Sequence, residues 1–395
     1  MSHFLSEANV LAPSLAVYVH IPFCAKHCAY CDFNTYVERA QSPLVLETVS
    51  AICRDIEQTA AALPAFQRER LITSIFFGGG TPTFLQGKQL TRILETLRAC
   101  FQVSPLAEIS SEANPTSSDA EKFVQMREAG FNRLSIGVQA FDDTLLVALD
   151  RFHTAGEAER ALRSAKEAGF QNINLDLMFG LPKQTTTLWE SSLQRALEQE
   201  ITHLSLYALT LEPGTRFERL HAGGKLPLPD EEAEIAMYAR SREVLAQAGM
   251  EHYEVSNFAR PGSRCQHNLV YWHNEEYLGF GAGAVSYLEG RRWKRERQPL
   301  LYNKKVSAGQ DLAVESEILS KEERLGETMM LGLRLREGIS LQRIRDRFSV
   351  EPLEYFAEPI RTLEKRSWLI LENDTLRLTE AGVLLANEAL CEFLG

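Results

Sequence analysis

Through most of the chain, short apolar runs alternate with longer stretches in which apolar and polar positions recur at helical spacing. The runs at 15–21, 71–77, 107–112, 133–138, 172–178 and 203–209 have strand length and are rich in Val, Ile, Leu and Phe. Such composition suits strands covered on both faces. The stretches between them, about 43–62, 87–101, 118–129, 155–168, 186–199 and 230–248, predict amphipathic helices. Gly130 and Gly169 each close a helical pattern just before the next strand, where a left-handed helix stop belongs. Six strand–helix units in succession predict an α/β protein with a parallel sheet and crossover helices. The pattern alone fits either a barrel or an open, doubly wound sheet.

The last stretch changes character. A helical pattern over 321–336 precedes a short helix capped by Ser340 and ending near Phe348, and another helix covers about 353–366. Residues 368–378 read as two strands joined around Asn373-Asp374, with a final helix after them. This is a small winged-helix-like α+β arrangement, so the expected division is 1–310 for the large unit and 311–395 for a cap or docking unit. A chain of 395 residues with 45% hydrophobic content supports both. The expected recognition helix carries Glu351, Glu354, Glu358 and Glu364 against Arg361, Lys365 and Arg366, a poor match to phosphate. With a net charge of −11, nucleic acid is not an expected partner. The first fifteen residues lack a basic segment followed by an apolar one, and no run reaches membrane-spanning length, so a cytoplasmic location is expected.

Chemistry enters after the first predicted strand. Cys24, Cys28 and Cys31 stand in CxxxCxxC spacing in the loop at its carboxyl end. Three thiols so close together suit a soft metal or an iron–sulfur cluster, and three ligands leave one iron of a four-iron cluster open. The spacing alone does not separate a cluster from a zinc site completed by His20 or His27. Cys53, Cys100 and Cys391 fall in helical patterns and read as core residues. A second motif, Gly78-Gly79-Gly80-Thr81-Pro82-Thr83, follows the second strand, where consecutive glycines let backbone N–H groups approach a ligand. Further unusual residues fall at or near strand ends: Glu112, Gln139, Asp176 and Ala208. A carboxylate such as Asp176 within an apolar run needs partners or a ligand.

These motifs resemble the radical S-adenosylmethionine (SAM) superfamily. Within it the chain is similar to the coproporphyrinogen III oxidase-like family, which includes the HemW-type heme chaperones. The likeness runs from Tyr18-Val19-His20-Ile21-Pro22-Phe23 through Glu112-Ala113-Asn114-Pro115 and Ser135-Ile136-Gly137-Val138-Gln139 to Gly180-Leu181-Pro182. It implies a partial (β/α)6 barrel and a [4Fe–4S] cluster on Cys24, Cys28 and Cys31, with SAM chelating the free iron. Tyr18, Tyr30, Gly79, Gly80, Thr81, Glu112, Gln139, Arg151, Asp176, Ala208 and Val285 are the implied SAM contacts, Arg151 pairing with its carboxylate. An acidic and aromatic pocket suits a sulfonium.

Two departures select a branch. Phe33 stands two positions after Cys31, where the oxidases of this family place another cysteine. Residues 267–272 read His-Asn-Leu-Val-Tyr-Trp, similar to the HNxxYW signature of the heme-binding branch. The resemblance therefore implies heme as a further ligand, with His267 its axial ligand and a heme-acceptor protein, a respiratory hemoprotein among the choices, as partner. A homodimer and peripheral membrane contact stay open. Cys265 and His273 are alternative ligands, and Arg260, Arg264, Arg291 and Arg292 are guanidinium partners for the propionates. Alternatives are radical decarboxylation of coproporphyrinogen III and a non-catalytic zinc-binding module. Whether SAM is cleaved in the normal cycle, and so whether the chain is an enzyme, stays open.

Overall fold

The computed structural model describes residues 14–394; the amino-terminal segment read above for a leader lies, through residue 13, outside the described residues. Strands β1 (Leu15–Ile21), β2 (Ile72–Gly79), β3 (Val103–Ala113), β4 (Arg133–Gln139), β5 (Asn172–Phe179) and β6 (His203–Ala208) lie side by side in parallel. Helices α1 (Pro43–Ala62), α2 (Gly87–Cys100), α3 (Ala120–Ala129), α4 (Asp143–Ala148), α5 (Ala155–Glu167) and α6 (Thr186–Glu198) fill the crossovers. Local chemistry sets their ends. Ser42 caps α1 with Pro43 at its first position, and Thr154 and Glu157 form a reciprocal capping box on α5. Gly130, at φ +103°, takes the left-handed position that ends α3.

The sheet continues beyond the six strands. Helices α7 (Arg216–Ala222) and α8 (Glu231–Gln247) lead to β7 (Glu251–Glu254) and β8 (Asn257–Ala259), and β8 pairs antiparallel with β6. Helix α9 (Gln266–Trp272) leads to β9 (Tyr277–Phe280), which pairs parallel with the free side of β1. Strands β10 (Val285–Leu288), β11 (Arg291–Arg295) and β12 (Ala313–Ile318) extend that side as antiparallel neighbours. The result is a twelve-stranded sheet in which β1 to β6 form a partial (β/α)6 barrel, β1 and β6 not pairing with each other.

Alternation along each strand divides inside from outside. Leu134, Ile136 and Val138 of β4, Ile173, Leu175 and Leu177 of β5, and Leu204 and Leu206 of β6 are buried in the main core. Each such side chain contributes about 1.5–3 kcal/mol on burial. The opposite positions, Arg133, Ser135, Gly137 and Gln139 of β4, Asn174, Asp176 and Met178 of β5, and Ser205 and Tyr207 of β6, line an interior cavity. A packed barrel would fill this space with branched apolar side chains. Small polar residues keep it open here.

A second core gathers Leu325, Met329, Ile344, Ile360, Leu363, Leu376 and Leu390. Its helices include Lys321–Gly332, Leu341–Phe348 and Ala357–Lys365, and Leu369–Glu372 pairs with Thr375–Leu378 in a hairpin. Asn373 and Asp374 both have φ near +50° to +60°, the geometry that a two-residue hairpin turn demands. The helix expected over 353–366 is two pieces, broken at Phe356, and the one expected to reach 336 stops at Gly332 so that Leu335 can bridge to Glu254. Arg334 reaches the buried Glu254 at 3.7 Å and lies over the Trp272 ring at 4.5 Å. Arg347 donates to the carbonyls of His273 and Asn274.

Candidate functional site

The cysteine loop leaves β1 at the carboxyl end of the barrel and is tied down along its length. Gly80 N–H donates to Ile21 O at 2.8 Å and Thr81 N–H to Phe23 O at 2.9 Å, locking the glycine loop to the segment that enters the cysteines. A Cβ on Gly80 would meet the Phe23 carbonyl at 2.6 Å, so only glycine permits this approach. Ala29 N–H donates to Leu149 O and Phe217 N–H to Ala29 O, clamping the loop between α4 and α7.

The three thiols are half-buried and free of disulfides. Cys24 Sγ lies 3.5 Å from Thr81 Oγ1, and Arg151 Nη1 lies 3.6 Å from Cys28 Sγ while its Nη2 donates to Gly137 O. Burial, with the other two thiols adding to it, pushes the Cys31 thiol up to about 12. Among the described residues, no three His, Cys, Asp or Glu side chains converge on a point suited to one metal ion. Ligands of a cluster reach different irons and so stand further apart than ligands of a single zinc. His27, a conceivable fourth zinc ligand, instead contacts Thr35 Oγ1 at 3.2 Å, and His20 contacts Asn34 O at 3.0 Å.

Below the loop lies a cavity of about 460 Å³. Tyr18, Tyr30, Gly79, Gly80, Thr81, Glu112, Gln139, Arg151, Asp176 and Ala208 all line it, as does Phe33. Val285 does not: it opens β10, on the far side of β9 from β1, and pairs with Lys294. Glu112 accepts from Gly79 N–H at 3.2 Å. Burial, and then the nearby Asp176 carboxylate, pushes its carboxyl up to about 8. Asp176 is also raised by burial but is held by Asn174 Nδ2 at 2.8 Å and Ser135 Oγ at 3.1 Å. Gln139 adopts φ +67°, an unusual backbone for a non-glycine residue and one that concentrates at working sites.

Helix α9 closes the bottom. Glu108 accepts from the N–H groups of Gln266 and His267 at the start of the helix, which seats His267 against β2. His267 Nδ1 contacts Ser74 Oγ and its Nε2 contacts Tyr271 Oη, both at 3.0 Å. Its ring stacks on Phe76, and it is 1% exposed. Burial, with Arg133 adding to it, lowers the imidazole to about 3, so it is neutral. His267 and Tyr271 face the cavity, and Trp272 lies under Arg334 instead. Cys265 is buried against Glu108, and His273 Nδ1 accepts from Arg343 Nη1 at 3.0 Å.

None of the arginines expected as propionate partners lines this cavity. Arg264 pairs with Glu337 and Glu251, Arg292 with Glu317 and Glu327, Arg291 contacts Ser316, and Arg260 donates to Ile201 O. Strand β11 runs outside the barrel, where carboxylates of β12 and its surroundings take those charges. Sequence reasoning missed Arg133, Ser135, Asn174 and Ser205, which line the cavity. The available signal was their position: each shares the alternation of Gln139 or Asp176 within its own strand or the next.

The model of the radical SAM superfamily matches residues 18–196, and that of the HemN C-terminal domain matches 319–385. The heme chaperone HemW of Bacillus subtilis is 38% identical over 381 residues, covering 96% of this chain and 99% of that one. HemW of Escherichia coli is 39% identical over 296 residues, covering 73% and 76%. Among solved structures, the radical SAM enzyme coproporphyrinogen III oxidase (HemN) of Escherichia coli superposes with a TM-score of 0.84 at 25% identity, covering 98% of this chain and 91% of that one. With full-length similarity of this kind, the chain belongs to the HemW heme chaperone family within the radical SAM superfamily.

Proposed function

We propose that this protein is a heme chaperone that binds heme, carries a [4Fe–4S] cluster with exchangeable SAM, and hands heme to an acceptor protein. The observation that carries the reading is that the HNxxYW helix lines the same cavity as Thr81 and Arg151, the side chains that touch Cys24 and Cys28. Family membership supports the cluster and SAM, and the names of the relatives support heme. Cys24, Cys28 and Cys31 would hold the cluster, Thr81 and Arg151 donating to its sulfur ligands. Gly79, Gly80, Glu112, Gln139, Arg151 and Asp176 would orient SAM, and Tyr18 and Tyr30 would shield it from water. When bound and reduced, the cluster supplies an electron that can cleave SAM.

His267 is the proposed axial ligand to heme. Both its nitrogens are engaged, so ligation through Nε2 requires Tyr271 to turn away. The location proposed is cytoplasmic; no described helix is long and apolar enough to cross a membrane. The similarity to the oxidase makes decarboxylation of coproporphyrinogen III the second reading. Anaerobically reconstituted protein incubated with heme should develop a Soret band that weakens in His267→Ala. Conversion of coproporphyrinogen III without stable heme binding would overturn the proposal in favour of the second reading.

A further inference from the structure

We propose that Arg133 forms a second binding subsite at the barrel floor, one that receives the carboxylate of an organic acid. Arg133 opens β4 and projects into the cavity while 2% exposed. Its Nε has no hydrogen-bond partner, and neither Nη nitrogen makes a hydrogen bond among the described residues. Its closest ion pair is with Glu108, at 4.0 Å from Nε, too long for a hydrogen bond. The oxygens of Glu108 are taken by Gln266 N–H, His267 N–H and the Cys265 thiol. Those of Asp176 are taken by Ser135 and Asn174.

Another buried arginine of this chain shows what satisfaction looks like. Arg295, 3% exposed, makes two bonds to Asp55 and one each to Ser286 and Thr59. A buried guanidinium left without such partners is costly unless something else supplies acceptors. The floor has the shape and polarity for that acceptor. Ser135, Asn174 and Ser205 are small polar neighbours on the lining, and Phe76 and Tyr271 give flat walls. The planar fork of the guanidinium matches the two oxygens of a carboxylate.

The subsite is distinct from the cluster end of the cavity. Gln139 lies six residues further along the same strand, roughly 20 Å at the usual rise per residue. The acid group can come from a heme propionate or from a free small acid. The heme source rests on the function proposed above; the free-acid source does not.

The test uses full-length, anaerobically reconstituted protein, with Arg133→Gln and the charge-keeping Arg133→Lys beside wild type. Heme is titrated against heme dimethyl ester by absorbance, and succinate against succinamide by calorimetry. For a propionate, wild type should bind heme about ten-fold more tightly than the diester, the factor expected from one charge-assisted bond. Arg133→Gln should erase that preference without weakening the diester, and Arg133→Lys should retain part of it. For a free acid, succinate but not succinamide should bind wild type and fail to bind Arg133→Gln. The proposal falls if wild type distinguishes neither acid from its neutral counterpart, or if Arg133→Gln discriminates as wild type does. If Arg133→Gln does not fold, the wild-type discrimination and its reduction in Arg133→Lys decide. Absence of heme binding in wild type would sink the chaperone reading and leave this subsite to the succinate titration.

Discussion

Glu112 illustrates how the site is built against stability. Its carboxyl is protonated in the folded protein up to a pH of about 8, whereas in the unfolded chain it ionises near the ordinary value of 4.5. Between these values the folded state holds a proton that the unfolded state has lost, so stability falls as pH rises through that window. Glu112→Gln keeps an acceptor for Gly79 N–H but cannot ionise. The variant should flatten the decline in melting temperature between pH 5 and 8 and raise it by about 2 °C or more at pH 8. The same change should weaken SAM binding about ten-fold at pH 8, where wild type begins to present a carboxylate to the ammonium group. Calorimetric melting and SAM titration across that pH range check both outcomes. Cys28→Ser should lose most of its bound iron and its brown absorbance, because two thiolates do not retain the cluster. Full iron content by chemical assay would contradict the ligand assignment. At this scale the sequence was most readable where chemistry is unusual: clustered thiols, consecutive glycines, a carboxylate in an apolar strand. Arg133 escaped because a charge at the first position of a strand looks like an exposed end, and only the fold turns it inward.

The glycine loop and the cysteine loop act as one unit at the level of elements. Gly80→Ala would drive a methyl group into the Phe23 carbonyl and break two backbone bonds between them. A cost of about 2 kcal/mol or more, and poor cluster incorporation, are expected. Denaturant melts and iron content of the reconstituted variant measure the two effects separately. Most parallel strands and their helices were legible because burial on both faces writes near-continuous apolar runs, and α1 matches its predicted bounds. Strands β7 to β12 were not. They are short, and Arg291–Arg295 is mostly charged, its place in the sheet fixed by pairing with Ala313–Ile318 and not by local preference. Helix α9 was likewise hidden, since its start is capped by Glu108 from β3, far away in sequence.

For the whole molecule, the seam between the barrel and the carboxyl-terminal unit is held by a few buried polar contacts. Glu254 is 0% exposed, and Arg334 is its neighbouring cation. Arg334→Met should strand that carboxylate and cost about 2 kcal/mol, with Glu254→Gln added to it recovering much of the loss. A double-mutant cycle by chemical denaturation provides the number. The winged-helix-like pattern of the last residues was readable from caps and turn residues such as Ser340 and Asn373-Asp374. Its seating against β7 and α9 depends on long-range pairs that no local pattern encodes.

The clamp on Ala29 has a consequence of its own. The backbone between Cys28 and Cys31 is also a stitch joining the end of α4 to α7, so a cluster held by these thiols would brace two helices as well. Stripping iron from the protein should let the amides of Ala29 and Phe217 exchange with deuterium faster, together with those of the helices they join, while the far side of the barrel stays protected.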